Sequence, residues 1–529
     1  MNHPRYMLTA AGLLLGSLVL AGCTAASVPA TTSPTTTQET TATTVVVDAT
    51  LTAADAMAAN EDYTTVNDDE WSMDGATTID LDSQSGTVTI DAAGTYVISG
   101  DLDGQVVVAA PEGALVAIVL DDATITSTTG PAISVESADD VVVSLAGSNT
   151  LSDASSYADD ADANAALFSE SDLTITGEGS LTVEGNGNDG ITSEDDLVIL
   201  SGEITVTAVD DGLRGKDSLV IEGGSVTVDA GGDGLKSDNP DEPTRGYIYM
   251  TGGSVSATAG DDGFSATTDL IETGGMIDIT STGNGLKGDA LVLLEGADVT
   301  VDAADDAINS NGQVSINLGT ATVSSGDDGI HADGAIFIDG GTTTVTNSEE
   351  GIESLAITIN AGDVSVTSND DGINASAGTV EGGSEQDDGS LLTVNGGNVI
   401  VNAAVDGIDS NGSAVLNGGT VAVLSGGGGG TSALDVNASV SGTGGWLAAT
   451  LSGSAGDTVT VTDSAGTVVA SYTTSASFGS VAFVNAGIAA GGSYTVSTSA
   501  GSSATVTEGV NSAEGGMGGG GQGGGPGRP

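Results

Sequence analysis

The sequence predicts an all-β protein, a right-handed parallel β-helix of about 22 residues per coil followed by a small antiparallel β domain. Three observations support this fold class. A short motif recurs at a nearly constant interval, the residues between its copies alternate with the period of β-strands, and no unit contains a helix-forming stretch.

The recurring motif is an acidic residue or Asn, then Gly or Ala, then an aliphatic or aromatic residue. Seven of the nine intervals between successive copies are 21 or 22 residues, and the other two carry an inserted loop. One unit cannot bury its own apolar face, so the units must stack as successive coils. The copies begin at Asp189, Asp211, Asp233, Asp262, Asn284, Asp306, Asp328, Glu350, Asp371 and Asp406.

In the unit that begins at Asp211, segments 218–222 and 225–230 alternate apolar and polar residues, and Gly223-Gly224 separates them. This alternation is typical of half-buried strands, and the glycine pair is typical of a turn. A leucine-rich repeat has a similar period, but its Leu-x-x-Leu-x-Leu-x-x-Asn pattern is absent. Residues 187–430 should therefore form about ten coils with one buried ladder. Its members include Leu213, Leu235, Ile330, Ile352 and Ile373.

Composition shifts along the chain predict the domain boundaries. Residues 24–45 are rich in Thr, Ser, Ala and Pro, residues 431–509 contain about six further alternating segments, and residues 515–529 are mostly Gly. We expect the last segments to cap the final coil and to cover its exposed edge. The expected domains are a signal peptide (1–22), a linker and lead-in (23–75), the β-helix (76–430), the C-terminal β domain (431–509) and a disordered tail (510–529).

The charge of the chain is strongly one-sided. Seven Lys and Arg face 74 Asp and Glu, which gives a formal net charge of −67. Such a surface repels phosphate backbones, so nucleic acid is not expected as a partner. Metal cations, or polymers that bind through cations, are the natural partners, and we expect a monomer.

The N-terminus has the pattern of a processed export signal. An apolar run at residues 8–19 is too short for a membrane-spanning helix, and Leu20-Ala21-Gly22 precedes Cys23, the one Cys of the chain. This resembles the bacterial lipobox, in which the Cys thiol is acylated and becomes the new N-terminus. The sequence therefore predicts a lipid anchor on Cys23 at the extracellular face of the cell membrane. A plain secretory signal with an incidental Cys is the alternative.

The repeat should stack its acidic residues at the spacing of neighbouring strands, about 4.8 Å. Because the residue before the acid-Gly step is often acidic too, carboxylates would repel one another unless protons or cations bind. Ca²⁺ suits several carboxylates and carbonyls in a flexible shell, so we expect calcium here. The alternative is that these acids are turn residues facing water, chosen for their backbone hydrogen bonds. The candidate metal ligands are Asp210, Asp211, Asp233, Asp261, Asp262, Asp305, Asp306, Asp327, Asp328, Asp370 and Asp371.

Arg214, Lys236 and Lys287 each lie three residues after the start of a motif copy, so they should share one ladder. Beside calcium they could bind uronate carboxylates or act in proton abstraction; alternatively, they only offset the acidic ladder. Tyr247 and Tyr249 share one strand face and could stack on a sugar ring, or pack as half-buried strand residues. These five are the candidate carbohydrate-binding residues, and His331 is more simply a polar member of the same ladder.

The chain resembles secreted bacterial carbohydrate-binding β-helix proteins, which are related in fold to pectate lyases. The resemblance spans roughly residues 76–509 and is clearest at 233–238 (Asp-Gly-Leu-Lys-Ser-Asp), with Gly-Gly-Ser-Val-Thr-Val strands. It extends to 477–481 (Ser-Phe-Gly-Ser-Val) and 492–496 (Gly-Ser-Tyr-Thr-Val) in the C-terminal block. It implies Ca²⁺ binding and affinity for cellulose-like or acidic, pectin-like polysaccharides.

Three classes of function follow from these features. The favoured one is a non-catalytic polysaccharide-binding surface protein. A polysaccharide lyase acting on uronate polymers is the second, and it would need a clustered Lys or Arg base such as Arg214, Lys236 or Lys287. A structural spacer or adhesin that uses the rod for reach is the third.

Replacing Cys23 by Ser removes the thiol that would carry the lipid. The Cys23→Ser variant should appear in the medium or remain unprocessed, as fractionation and immunoblotting of membranes and medium would show. Processed variant that stays bound to membranes would contradict the lipobox interpretation.

Overall fold

The structure is a computed structural model that describes residues 51–158, 161, 163–377, 387–426 and 431–512. The expected signal peptide, Cys23, the Thr/Ser/Pro-rich stretch and most of the Gly-rich tail lie outside the described residues. Within the described ranges, no helix is both long and apolar enough to cross a membrane.

The described part of the chain begins with a short helix, α1 (Ala53–Met57), and a 3₁₀ turn at Leu81–Ser83 lies between the first strands. Strands of the first coils follow. They are β1 (Thr77–Asp80), β2 (Gly86–Ile90), β3 (Gly94–Ala109), β4 (Leu115–Thr126), β5 (Ile133–Ser137), β6 (Asp140–Ala146), β7 (Ser148–Ser152), β8 (Ala165–Ser169), β9 (Asp172–Gly177) and β10 (Ser180–Gly185).

Six of the ten regular coils contain three strands: a short one after the acid-Gly step, and two longer ones. In the other four coils two of these three join into one longer strand, such as Leu291–Ala303 or Ile330–Ile338. Their bounds are β11 (Asp189–Ser193), β12 (Asp196–Ile199), β13 (Glu203–Ala208), β14 (Leu213–Gly215), β15 (Ser218–Ile221), β16 (Ser225–Ala230), β17 (Leu235–Ser237), β18 (Tyr247–Met250), β19 (Ser254–Ala259), β20 (Phe264–Ala266), β21 (Asp269–Glu272), β22 (Met276–Ser281), β23 (Leu286–Gly288), β24 (Leu291–Ala303), β25 (Ile308–Ser310), β26 (Gln313–Ser324), β27 (Ile330–Ile338), β28 (Thr342–Asn347), β29 (Ile352–Ile359), β30 (Asp363–Ser368), β31 (Ile373–Ala375), β32 (Leu391–Val394), β33 (Asn398–Ala403), β34 (Ile408–Ser410), β35 (Ser413–Leu416) and β36 (Thr420–Ser425).

Each strand pairs in parallel with the equivalent strand one coil away, which makes a parallel β-solenoid of about 22 residues per turn. The predicted ladder is confirmed: Leu213 lies beside Leu235, and Ile330, Ile352 and Ile373 follow in register further along. All five side chains are fully buried. The inserted loops fall between β17 and β18 and between β31 and β32, so they leave the register intact.

Parallel pairing continues past residue 430, because β37 (Asp435–Val436) and β38 (Ser439–Ser441) pair with β34 and β35. The predicted C-terminal antiparallel block is then found. Its strands are β39 (Trp446–Gly453), β40 (Thr458–Asp463), β41 (Val468–Thr473), β42 (Phe478–Val484), β43 (Ser493–Thr498), β44 (Ser503–Thr507) and β45 (Asn511–Ser512). Strand β42 pairs antiparallel with β36 and so covers that edge of the solenoid, while β41, β40, β43 and β44 form a separate antiparallel sheet.

We call residues 51–71 the N-terminal strap. It lies across the outer face of the middle sheet, which is formed by the second strand of each coil (β12, β15, β18, β21 and the start of β24). Helix α1 packs on Ile271 and Leu293, and Val66 packs on Ala117 and Val142 several coils away. The strap buries apolar residues that point outward from the solenoid, which the strand alternation alone would leave in water.

Glu272 is an exception in the core. It occupies an inward position between Met250 and Leu294 of the neighbouring coils, and it is 0% exposed. Neither carboxyl oxygen has a hydrogen-bond partner among the described residues. Burial therefore raises the pKa of Glu272 well above its usual value, because the charged form has lost its hydration.

Replacing Glu272 by Leu should stabilise the protein by about 1–3 kcal/mol, since it removes an unsatisfied buried polar group from an apolar ladder. Urea unfolding at pH 7 measures the change. The control, Glu203→Leu at an exposed position, should change stability by less than about 0.5 kcal/mol. A lower urea midpoint for Glu272→Leu would show that the carboxyl has a stabilising partner.

Candidate functional site

The acid-Gly steps lie along one edge of the solenoid, where each coil enters its short strand. The first residue of the step is buried, with Asp189, Asp211, Asp233, Asp262, Asp306 and Asp328 between 3% and 8% exposed. We call these residues, with Glu350, Asp371 and Asp406, the inner acids. The preceding residues Asp210, Asp261, Asp305, Asp327 and Glu349 are exposed, and Asp370 is partly exposed; we call them the outer acids.

Most of the inner acids use one carboxylate oxygen to join two coils. The aspartate Oδ1 accepts the backbone N–H of the equivalent residue in the next coil. The distances are 3.2 Å from Asp211 N to Asp189, 2.9 Å from Asp233 N to Asp211, 3.0 Å from Asp262 N to Asp233, 2.7 Å from Asn284 N to Asp262, 2.9 Å from Asp328 N to Asp306 and 2.8 Å from Asp406 N to Asp371. The backbone hydrogen bonds of the alternative interpretation are therefore present, but all of these acids except the partly exposed Asp371 and Asp406 are buried rather than facing water.

Glycine follows the inner acid because the next coil approaches closely. A Cβ at Gly212 would lie 2.5 Å from the carbonyl oxygen of Gly234, and closer still to a methyl of Val228. The carbonyl oxygen of the inner acid accepts in turn, as from Gly190 N to Asp211 O at 2.9 Å. The acid-Gly pair is thus a connection between coils in both directions.

The second oxygen of the inner acid faces the ladder that contains the candidate basic residues. Lys236 Nζ lies 2.9 Å from Asp211 Oδ2 and 3.0 Å from Asp233 Oδ2, and Lys287 Nζ lies 3.0 Å from Asp262 Oδ2. At some positions without a Lys a neutral donor takes the place, as Thr192 Oγ1 does for Asp189 at 3.0 Å. These lysines offset the acid ladder, which is the simpler of the two interpretations of their spacing.

Arg214 behaves differently from the lysines. Its guanidinium binds Glu194 at 2.7 Å and Asp238 at 2.9 Å, away from the inner acids. The sequence reasoning did not single out Lys216, which shares Glu194, or Arg245, which binds Glu61 at 2.9 Å and also Asp217. Every Lys and Arg within the described ranges therefore has at least one carboxylate partner. The sequence feature that could have indicated the Arg245 contacts is the insertion at 238–246, because this loop places Arg245 over the preceding coils.

The electrostatic balance changes along the ladder. Burial, followed by the charge of Asp211, raises the pKa of Asp189 to about 7. In the last coils, burial and neighbouring carboxylates raise the pKa of Asp371 and of Asp409 to about 7, and the pKa of Asp406 to about 6. Protons or cations are needed in these coils because no described Lys or Arg follows Lys287.

The densest group of carboxylates surrounds His331. Its Nδ1 lies 2.9 Å from Asp328 Oδ2 and 3.5 Å from Glu353 Oε2, and these partners raise the pKa of His331. The imidazolium favours ionised Asp328, but burial is the larger effect and the pKa of Asp328 is raised. Burial also raises the pKa of Glu350, whose Oε2 accepts from Asn374 Nδ2 at 2.7 Å.

Among the described residues, four of the eleven candidate metal ligands fall in groups whose ligand atoms lie within 4.8 Å of one another. Asp305, Asp306 and Asp327 form an oxygen-only group with two exposed members, and Asp306 and Asp328 form another with His331. Hard oxygen donors of this kind suit Ca²⁺, whereas a protonated His331 does not suit any metal. The remaining seven candidates are Asp210, Asp211, Asp233, Asp261, Asp262, Asp370 and Asp371, and the structure does not bring them into such a group.

Sequence reasoning missed two further acidic groups: Asp328 with Glu350 and Glu353, and Asp172 with Asp195 and Asp196. The Asp-Leu steps at 172–173 and 196–197 occupy equivalent positions in adjacent coils, so their stacking could have been read from the repeat. In the group of Asp172, Asp195 and Asp196, one carboxylate already has hydrogen-bond donors. Asp196 accepts Thr64 N of the N-terminal strap at 2.7 Å and Ser218 Oγ at 2.8 Å.

The candidate tyrosines lie under the N-terminal strap. Tyr247 is 1% exposed, and its hydroxyl donates to the Glu61 carbonyl oxygen at 2.9 Å. The Tyr249 ring lies 6.4 Å from the Tyr63 ring at a tilt of 58°. The packing interpretation therefore describes both residues in this structure, and a sugar could reach the Tyr247 ring only if the strap moved away.

Comparisons with known proteins identify relatives of this chain. A protein family described as carbohydrate-binding domain-containing proteins matches the chain over residues 84–329 and 327–520. A relative with the same description, from Acetivibrio thermocellus, is 48% identical over 167 residues, which cover 30% of this chain and 58% of that protein. The chain thus aligns with somewhat over half of that relative's length.

A solved structure, the polysaccharide lyase-like protein from C. thermocellum in a gadolinium derivative, is 32% identical to this chain. The superposition covers 46% of this chain and 96% of that one, with a TM-score of 0.39. The family match, which spans most of the chain, is the finding that assigns it. The chain belongs to the family of carbohydrate-binding domain-containing proteins.

Proposed function

We propose that this protein is a non-catalytic, calcium-dependent polysaccharide-binding protein, held at the outer face of the cell membrane by a lipid on Cys23. The observation that carries the proposal is the oxygen-only group Asp305, Asp306 and Asp327, on a stacked acidic edge of a carbohydrate-binding family member. The lipid anchor rests on the lipobox-like sequence before Cys23.

Charge supports the requirement for a cation. The chain has a formal net charge of −67, and the described Lys and Arg already have carboxylate partners. A uronate polymer would be repelled by such a surface unless bound cations reversed the local sign. Ca²⁺ held between Asp305, Asp306 and Asp327 would leave coordination positions for carboxylate or hydroxyl oxygens of a glycan.

The state of the basic residues argues against the lyase alternative. A lyase base must be unprotonated when it removes the proton next to the uronate carboxyl. Lys236 is held between Asp211 and Asp233, and these carboxylates raise the pKa of Lys236 against the effect of burial. The pKa of Arg214 is also raised, against burial, by Asp238 and Glu194. Both side chains are thereby held in their charged, non-basic form.

In the calcium-free protein, stability should fall as the pH rises from about 4 to about 8. The pKa values of Asp189, Asp371 and Asp409 are raised to about 7 in the folded state, above their unfolded-state pKa of about 4. Protonation of these groups therefore stabilises the folded state, and this contribution is fully present only below the unfolded-state pKa. That contribution is lost as the pH passes through 7. Thermal unfolding in EDTA at pH 5 and pH 8 measures the effect. A higher Tm at pH 8 would contradict it.

Calcium should raise the Tm more at pH 8 than at pH 5, and binding to polygalacturonate should require it. Cations compete with protons for the same carboxylates, and they also supply the positive charge that a uronate polymer needs. Pull-downs on polygalacturonate and on cellulose, at matched salt with Ca²⁺ or EDTA, measure binding. Binding to cellulose should survive EDTA better, because it depends on shape and hydroxyl hydrogen bonds.

The double variant Asp305→Asn/Asp327→Asn should weaken the calcium response, and Asp298→Asn/Asp302→Asn on another exposed face is the matched control. Unchanged stability and binding under EDTA would remove calcium from the proposal. Unsaturated, ultraviolet-absorbing products from polygalacturonate would favour the lyase.

A further inference from the structure

A cleft of about 280 Å³ lies between the last coils of the solenoid and the C-terminal sheet. Outward side chains of β33, including Asn398 and Ile400, line one side, and Val469 and Tyr472 of β41 line the other. Asn485 follows β42 and lines the cleft as well. The cleft therefore exists only because the antiparallel block folds back beside the solenoid.

The chemistry of this cleft differs from that of the acidic edge. Among the described residues that line it, none has a charged side chain, although the whole chain has a formal charge of −67. Its walls combine aliphatic groups, one tyrosine, amides and hydroxyls. This mixture of apolar surface with a few polar groups is typical of binding sites for uncharged small molecules.

Tyr472 is attached to the solenoid at the side of this cleft. Its hydroxyl accepts a long hydrogen bond from Asn402 Nδ2 at 3.5 Å, which joins the C-terminal sheet to β33. Asn402 is 7% exposed, and its Oδ1 has no hydrogen-bond partner among the described residues. Asn402 does not itself line the cleft, so its contact holds the Tyr472 hydroxyl at the cleft wall rather than meeting a ligand.

An uncharged row continues from the cleft along the outer face of the solenoid. Thr300, Thr322, Thr344, Ser365 and Ile400 are neighbours in register on successive strands. Strands in a sheet are about 4.8 Å apart, so these side chains form a straight, evenly spaced lane. Acidic residues such as Asp298 and Asp363 border the lane without entering it.

We propose that this cleft binds a neutral β-linked glucan chain, with one glucose ring stacked on Tyr472 and the rest of the chain following the hydroxyl lane. A pyranose with equatorial hydroxyls has an apolar C–H face that suits an aromatic ring, and its hydroxyls suit the amides and threonines. The absence of charge in the lining, and the acidic surroundings, disfavour uronates there. This inference rests on the proposed polysaccharide binding and locates a second, calcium-independent site for it.

The test is calorimetric titration of the full-length protein with cellohexaose in EDTA. EDTA removes calcium, so the proposed calcium-dependent site cannot contribute to binding. Tyr472→Ala should bind roughly tenfold more weakly, as expected for loss of an aromatic anchor. Tyr472→Phe should stay within about twofold, since it keeps the ring and loses only a weak hydrogen bond. Thr420→Trp, at an exposed position lining the cleft, should block binding without removing any contact of Tyr472.

The matched control is Tyr96→Ala, another half-exposed tyrosine with one side-chain hydrogen bond, near the opposite end of the solenoid. It should bind cellohexaose as the unaltered protein does, and all variants should bind polygalacturonate with Ca²⁺ normally. If Tyr472→Ala fails to fold, Thr420→Trp decides.

Unchanged cellohexaose affinity in both cleft variants would overturn the proposal, as would an unaltered protein that binds polygalacturonate with Ca²⁺ but not cellohexaose. In the second case the proposed function would still stand. Binding of neither glycan by the unaltered protein would overturn both.

Discussion

Each coil of this protein can bury its aliphatic side chains only against the coils on either side of it. The register between coils is therefore nearly constant, and a residue that recurs in the repeat must lie directly beside its equivalents. For Leu213 and Leu235 this contact is favourable, because the ladder removes apolar surface from water. For the inner acids, which lie where each coil enters its short strand, the same register brings like charges together at the spacing of neighbouring strands.

The structure accommodates the acid stack by giving several inner carboxylates two different partners. One oxygen accepts a backbone N–H of the next coil, as from Asp233 N to Asp211 Oδ1, and the other meets a side-chain donor on the adjacent ladder, as Asp211 Oδ2 meets Lys236 Nζ. Where that donor is Lys236 or Lys287, charge is balanced within the protein. Beyond Lys287 the donors are Asn309, His331 and Asn374, so protons and cations remain to balance the charge.

One fold produces two chemically different surfaces, and we propose a ligand for each. The acidic edge presents carboxylates such as Asp305 and Asp327 to solvent. These oxygens suit hard cations, which could in turn bind oxygens of a glycan. The cleft beside Tyr472 is lined by uncharged residues and forms only where the antiparallel block meets the last coils. The N-terminal strap acts differently from both, because it covers Tyr247 and shields the apolar outer face of the middle sheet rather than presenting a ligand site.

The sequence by itself determined the solenoid, because a repeat of 21 or 22 residues with strand alternation permits only stacked coils. It also placed Arg214, Lys236 and Lys287 on one ladder, since spacing from the motif is a local property that the register preserves. Only the tertiary structure decided which member of each acid pair is buried, as with Asp211 beside exposed Asp210. It also brought Glu61 to Arg245 and Tyr472 to Asn402, because these contacts join residues from different parts of the chain with no shared period. The repeat predicts which residues are neighbours in adjacent coils. Contacts outside the repeat depend on how the N-terminal strap and the C-terminal sheet pack against the solenoid.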